Sequence, residues 1–210
     1  MERRLEQLVD GMAARLFRGR IHPVELASLL VRRADLALQS GPYGPEAPNA
    51  FTITLGGDPA QPEERDRVES ELASAVFETA MERGWRLAGP VRVHLVVGPG
   101  SPAAATVQVA SLPGAIPAWA RLIPPGRAPL EVRPNRAVVG RSSQADVRLT
   151  DPEASRRHAL LWREAGGIWA TDLASSNGTL LNGEPLSGVG ELADGDVLAF
   201  GGASFVFRSV

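Results

Sequence analysis

Gly140-Arg141-Ser142, Ser155-Arg156-Arg157-His158 and Ser175-Ser176-Asn177-Gly178-Thr179 follow one another in the chain, with Asn182-Gly183 just beyond. Each group sits beside a turn signal in a segment of short β-type runs. Arg141 follows Gly140 at the end of the apolar run Ala137-Val138-Val139. The glycine lets the chain turn and sets a planar, five-donor guanidinium on a loop. Ser155 follows the turn sequence Asp151-Pro152-Glu153-Ala154, which places a hydroxyl on a neighbouring loop. Asn177-Gly178 is a tight-turn dipeptide whose amide can pair with the N–H and C=O of a peptide. A fork, a hydroxyl and an amide on loops at one end of a rigid scaffold are the parts that gripping a phosphate and a peptide main chain requires. A lone Gly-Arg or Asn-Gly marks only an ordinary turn. The joint order inside a β-only segment carries the signal.

That segment extends in both directions. Short runs of strand character fall at 119–123, 129–133, 136–140, 146–149, 157–163, 168–172, 179–181, 197–200 and 204–208. Many brief strands at even spacing predict an all-β sandwich. Residues 119–210 resemble a forkhead-associated (FHA) domain, both in the residues quoted above and in Asp172-Leu173 and Leu192-x-Asp194-Gly195-Asp196. The resemblance implies a sandwich of about eleven strands that holds a phosphothreonine peptide on loops at one apex. It implies that Arg141 and Ser155 are the phosphate ligands, with Arg156 assisting. Ser176 and Asn177 are then the peptide-contacting pair, and Gly140, His158 and Gly178 are structural positions. A preference for phosphothreonine over phosphoserine is implied by the resemblance alone. A catalytic triad of Ser155, His158 and Asp172 is not supported, because no G-x-S-x-G elbow or oxyanion hole accompanies it.

Before this module the periodicity is different. Leu5, Leu8, Met12 and Leu16 recur at helical spacing and predict a helix over residues 2–18. A second helix opens at Pro23, where a missing N–H costs nothing, and runs to about Leu38. Ser40 to Pro45 reads as a loop. Phe51, Ile53 and Leu55 alternate with threonines as a half-buried strand. Residues 62–83 form a third helix with Gly84 as its C-cap, and strands follow at 91–97 and 107–109. The expected order for residues 1–112 is therefore α-α-β-α-β-β, an α+β domain with a small three-stranded sheet covered on one face by helices. Its first two strands should be parallel, joined by the helical crossover. Residues 113–118, rich in Pro and Gly, read as a short linker.

The opening, Arg4-Leu5-Glu6-Gln7-Leu8-Val9-Asp10-Gly11, resembles the N-terminal domain of bacterial FhaA-type proteins. So do Leu16 to Leu26, Asn49 to Leu55 and Gly84-Trp85. The resemblance implies a bacterial adaptor in Ser/Thr-kinase signalling, and its first domain is expected to serve protein interaction, localisation or self-association. The expected partner is a phosphothreonine protein, either a kinase substrate or the kinase. Relatives carry a long linker here, whereas this one is short. A KH-like RNA-binding reading of the first domain has only Gly41-Pro42-Tyr43-Gly44 to offer, a tetrad with a proline and no basic residue. A structural protein with a vestigial FHA fold is the other alternative, although Arg141 and Ser155 are both retained.

Composition narrows the remaining classes. Up to residue 112 there are 12 Arg against 14 acids, and 10 against 10 beyond it, so neither half is a basic nucleic-acid module. All 22 basic residues are arginine, which removes P-loop and Schiff-base lysines. Cysteine is absent, and with it disulfides, thiolate nucleophiles and cysteine metal sites. His22, His94 and His158 are widely spaced, so no metal and no cofactor is expected. No signal-peptide h-region and no membrane-spanning apolar run is visible, and a cytoplasmic, non-enzymatic protein is expected, recruited to membranes only through a partner.

Overall fold

Apolar stripes at helical spacing need one face against a sheet, and the first part of the chain supplies both. The computed structural model describes residues 23–56, 61–98 and 105–210. Helix α1 spans Pro23–Leu36 and fully buries Leu26, Leu30 and Ala34, one stripe at every fourth position. The helix expected over residues 2–18 lies outside the described residues. In place of the loop expected from Ser40 to Pro45, strands β1 (Gln39–Gly41) and β2 (Gly44–Ala47) flank the turn at Pro42-Tyr43. Gly44 turns at φ 121°, which a side chain rarely adopts. Strands of three or four small and polar residues carry no alternation for sequence reasoning to detect.

Strand β3, Ala50–Gly56, buries Phe51, Ile53 and Leu55 and leaves Thr54 exposed. Helix α2, Pro62–Glu82, buries Val68, Leu72, Val76 and Ala80, and Gly84 follows it at φ 64°. Then come β4 (Arg86–Leu87), β5 (Arg92–Gly98) and β6 (Ala105–Ala110). The main sheet here has the order β5-β3-β6. β3 and β5 are parallel, with Phe51 opposite Val93, and β3 and β6 are antiparallel. The α-β-α-β-β part of the expected order is therefore present, with an added small sheet β1-β2-β4. Asn49, fully buried, donates to the carbonyls of Pro90 and Leu112 at 2.9 Å each and accepts the Leu112 N–H at 2.8 Å. It ties the end of this segment back to the start of β3.

By contacts the chain forms two compact units. Among the described residues, one takes 23–40, 45–80 and 87–114; the other takes 41–44, 81–86 and 115–210. The second unit thus includes two short pieces of chain from before the linker, which no local pattern announces.

Eleven strands build the second unit. They are β7 (Ala120–Ile123), β8 (Leu130–Val132), β9 (Ala137–Gly140), β10 (Val147–Arg148), β11 (Ala159–Glu164), β12 (Gly167–Asp172), β13 (Thr179–Leu181), β14 (Glu184–Pro185), β15 (Val189–Glu191), β16 (Val197–Phe200) and β17 (Ala203–Ser209). They form two sheets, β10-β9-β11-β12-β15 and β14-β13-β16-β17-β7-β8. Leu122, Val139, Leu161, Leu198, Phe200 and Phe207 lie in the core they share. β9 and β11 are apolar on both faces: alternate residues Val138, Leu160 and Trp162 form a second cluster with Tyr43, Trp169 and Leu173. β14 and β15 were not expected, being two or three mostly exposed residues with no apolar repeat. Pro185 cannot donate to a ladder, and β14 accordingly lies at a sheet edge. The protein combines an α+β N-terminal part with an all-β sandwich. Among the described residues no helix is long and apolar enough to cross a membrane.

Candidate functional site

β9 and β10 run parallel, with Val147 opposite Val139, so residues 141–146 must reverse and return within a short loop. Gly140 makes the departure possible. A Cβ there would lie 2.3 Å from the Arg156 carbonyl oxygen, well inside contact distance. Because the backbones approach so closely, Arg141 N–H reaches Ser155 O at 3.0 Å and Ser142 N–H reaches Arg156 O at 3.2 Å. The first loop is thereby strapped to the second.

The second loop is shaped by Asp151, whose Oδ1 accepts the Glu153 N–H at 2.7 Å in an Asx turn. Ala154 is buried beneath it, and Ser155 is left half-buried with its hydroxyl directed to the third loop. Ser155 Oγ accepts the Ser176 N–H at 2.9 Å and lies 3.4 Å from Ser176 Oγ. Asn177 Nδ2 donates to the Glu153 carbonyl at 2.9 Å. Ser155, Ser176 and Asn177 therefore meet across two loops that are 21 residues or more apart in sequence.

His158 lies below them with no exposed surface. Its Nδ1 accepts the Ser155 N–H at 3.0 Å, so the ring proton sits on Nε2 and is donated to Gly178 O at 2.9 Å. The ring meets Phe200 edge-on at 5.5 Å. Both nitrogens are thus bound to main-chain groups of the two loops, and neither faces the Ser155 hydroxyl. This arrangement does not provide a base for Ser155. Gly178 turns at φ 73°.

Asp172 organises the third loop, a role the sequence reading missed. Its Oδ1 accepts the Ser175 N–H at 2.8 Å, and its Oδ2 accepts the hydroxyls of Ser175 and Thr179 at 2.7 Å each. Burial works against the carboxylate, but these hydrogen bonds outweigh it and hold the group below the usual carboxylate range. The available signal was the spacing of Asp172, Ser175 and Thr179 around one turn.

Arg141 and Arg156 are exposed, and among the described residues neither guanidinium has a hydrogen bond or ion pair. Two cationic forks with no internal partner thus stand on strapped loops beside a cluster of hydroxyl and amide groups. His94, the other described histidine, is exposed with Nδ1 3.3 Å from Glu69 Oε1. His22 lies outside the described residues.

Comparison with known proteins gives this geometry a family. One model, the FhaA N-terminal domain, matches residues 1–102, and a second, the FHA domain, matches residues 137–201. The chain carries an FhaA N-terminal domain followed by an FHA domain. The FHA match covers every site residue named above, from Gly140 to Gly178. The FHA domain-containing protein FhaA of Mycobacterium tuberculosis is 35% identical over 78 residues, 37% of this chain and 15% of its own length. The ABC transporter ATP-binding/permease protein Rv1747 of the same organism is 30% identical over 136 residues, 62% of this chain and 15% of its own. The chain therefore spans only a small part of these curated relatives. A solved FHA domain, from a structural and functional analysis of phosphothreonine-dependent FHA domain interactions, is 30% identical. It covers 44% of this chain and 97% of its own, with a TM-score of 0.41.

Proposed function

We propose that this protein is a non-enzymatic adaptor whose FHA domain captures a phosphothreonine segment of another protein. The observation that carries the reading is the meeting of Ser155, Ser176 and Asn177 on strapped loops beside the unpartnered guanidinium of Arg141. An arginine fork and a serine hydroxyl offer charge-assisted hydrogen bonds to a dianionic phosphate, and Arg156 adds a second cation. Asn177 spends one Nδ2 proton on Glu153 and keeps its amide oxygen and second proton for a peptide main chain. His158, Gly140 and Gly178 shape the loops and do not contact ligand.

On this reading residues 119–210 carry capture, and residues 1–112 bind or localise a further protein. The partner is a substrate of a Ser/Thr kinase, or the kinase, and the complex works in the cytoplasm with membrane recruitment through the partner. The test is binding of the full chain to a degenerate phosphothreonine library, with phosphoserine and unphosphorylated controls. Selective capture that Arg141→Ala abolishes while the fold persists is the expected result. Capture without regard to phosphorylation, or equal selectivity in R141A, would overturn the site.

A further inference from the structure

The Arg141 loop has two ends, and only the first is held by the straps to Ser155 and Arg156. Its far end is Asp146, immediately before β10. Asp146 Oδ2 accepts the Val138 N–H at 2.8 Å, which ties the end of the loop back to β9. The same carboxylate is gripped by Arg86, within the second compact unit though it precedes the linker by more than twenty residues. Arg86 Nη2 donates to Asp146 Oδ1 at 2.7 Å, and Nη1 donates to Asp146 Oδ2 at 3.0 Å. Nη1 also donates to the Arg136 carbonyl at 2.6 Å, at the residue that leads into β9. Arg136 itself stands at φ 54°, a left-handed conformation that a non-glycine residue adopts only when its surroundings hold it.

We propose that Arg86 is a positioning residue for phosphate capture: by clamping Asp146 and the Arg136 carbonyl together it fixes the loop that presents Arg141. This rests on the phosphopeptide reading above and names a residue outside the matched FHA stretch on which that site depends. Three acceptor contacts from one planar group need a guanidinium, since an ammonium is a point charge with no fork. The pair is partly shielded, with 23% and 16% of the two side chains exposed, so it is not a solvent-screened surface pair. A bond that merely stabilised the sandwich could have been placed anywhere on it. This one joins the strand before the Arg141 loop to the residue that closes the loop.

The experiment uses the full chain and a phosphothreonine peptide chosen from the library, with its unphosphorylated form as control. Arg86→Ala and Arg86→Lys should each weaken phosphopeptide binding by about 5- to 20-fold, Lys included because it keeps charge but not geometry. Hydrogen exchange should quicken at residues 138–146 and stay unchanged in β16 and β17. R86K remains informative should R86A fold poorly. A wild type that discriminates phosphopeptide, with both Arg86 variants binding within twofold of it, overturns the role of Arg86 and leaves the capture reading intact. Exchange that quickens equally in β16 and β17 also overturns it, showing an effect that does not pass through the loop. A wild type that does not discriminate overturns the capture reading, and with it this role.

Discussion

Replacing His158 with leucine separates the work of its hydrogen bonds from the work of its volume. Leucine refills most of the buried space, so the cavity contribution is small. What is lost is the acceptor for the Ser155 N–H, 3.0 Å from Nδ1, and the donor to the Gly178 carbonyl, 2.9 Å from Nε2. Both main-chain groups lie against a residue with no exposed surface. Each group left unsatisfied costs about 1–3 kcal/mol, so H158L should lose about 2–6 kcal/mol of stability. The same two bonds join the Ser155 loop to the Asn177-Gly178 turn, so phosphopeptide affinity should fall as well, by about tenfold or more. Urea denaturation followed by tryptophan fluorescence gives the first quantity, and peptide titration well below the midpoint gives the second. His158→Gln, which can offer one acceptor and one donor, should recover part of both. A stability loss under about 1 kcal/mol with unchanged affinity would refute the reasoning, because it would mean that the imidazole bridges nothing that matters.

The remaining predictions concern neighbouring groups. Gly140→Ala should cost about 1–3 kcal/mol, the value of the two straps that a Cβ would force apart, and should weaken phosphopeptide binding; equal denaturation midpoints would show that the approach to Arg156 O is not needed. Asp172 has a folded-state carboxyl held below its unfolded value, so its contribution to stability is fully present above the ordinary carboxylate range, near pH 4. That contribution is lost as pH falls through the lower, folded value. The denaturation midpoint should therefore drop on the acid side, and Asp172→Asn should flatten that limb; parallel acid limbs for the two chains would contradict the assignment.

Legibility followed locality. Gly140 beside Arg141, the Asn177-Gly178 turn and the alternation of β3 are signals contained in a few consecutive residues, and each was readable. The parallel pairing of β3 with β5 was readable too, because a helix between two strands leaves few alternatives. β1, β2, β14 and β15 were not, since strands this short are defined by their neighbours and not by a repeat of their own. Asp172 is legible only as part of a motif and as a member of the unsupported triad. Its partners, Ser175 and Thr179, are hydroxyls that commonly cap a turn without any charged companion, so nothing local assigned them to it. The least legible fact was the membership of 41–44 and 81–86 in the second unit, because Arg86 and Asp146 are 60 residues apart and meet only in three dimensions.

That separation has a consequence during synthesis. A ribosome adds about 5–20 residues per second, so the 60 residues from Arg86 to Asp146 take about 3–12 s to appear. During that interval β5 and β6 are made, and with β3 they can close their own small sheet from contacts within the first unit. Arg86 must wait for a carboxylate not yet made, and Tyr43 waits longer for Leu160, Trp162 and Trp169. The sandwich thus depends on early segments remaining available until late strands arrive, and closing such long loops slows folding. The contacts of Arg86 and Tyr43 in the second unit can therefore form only after the strands of the first unit's main sheet have been made.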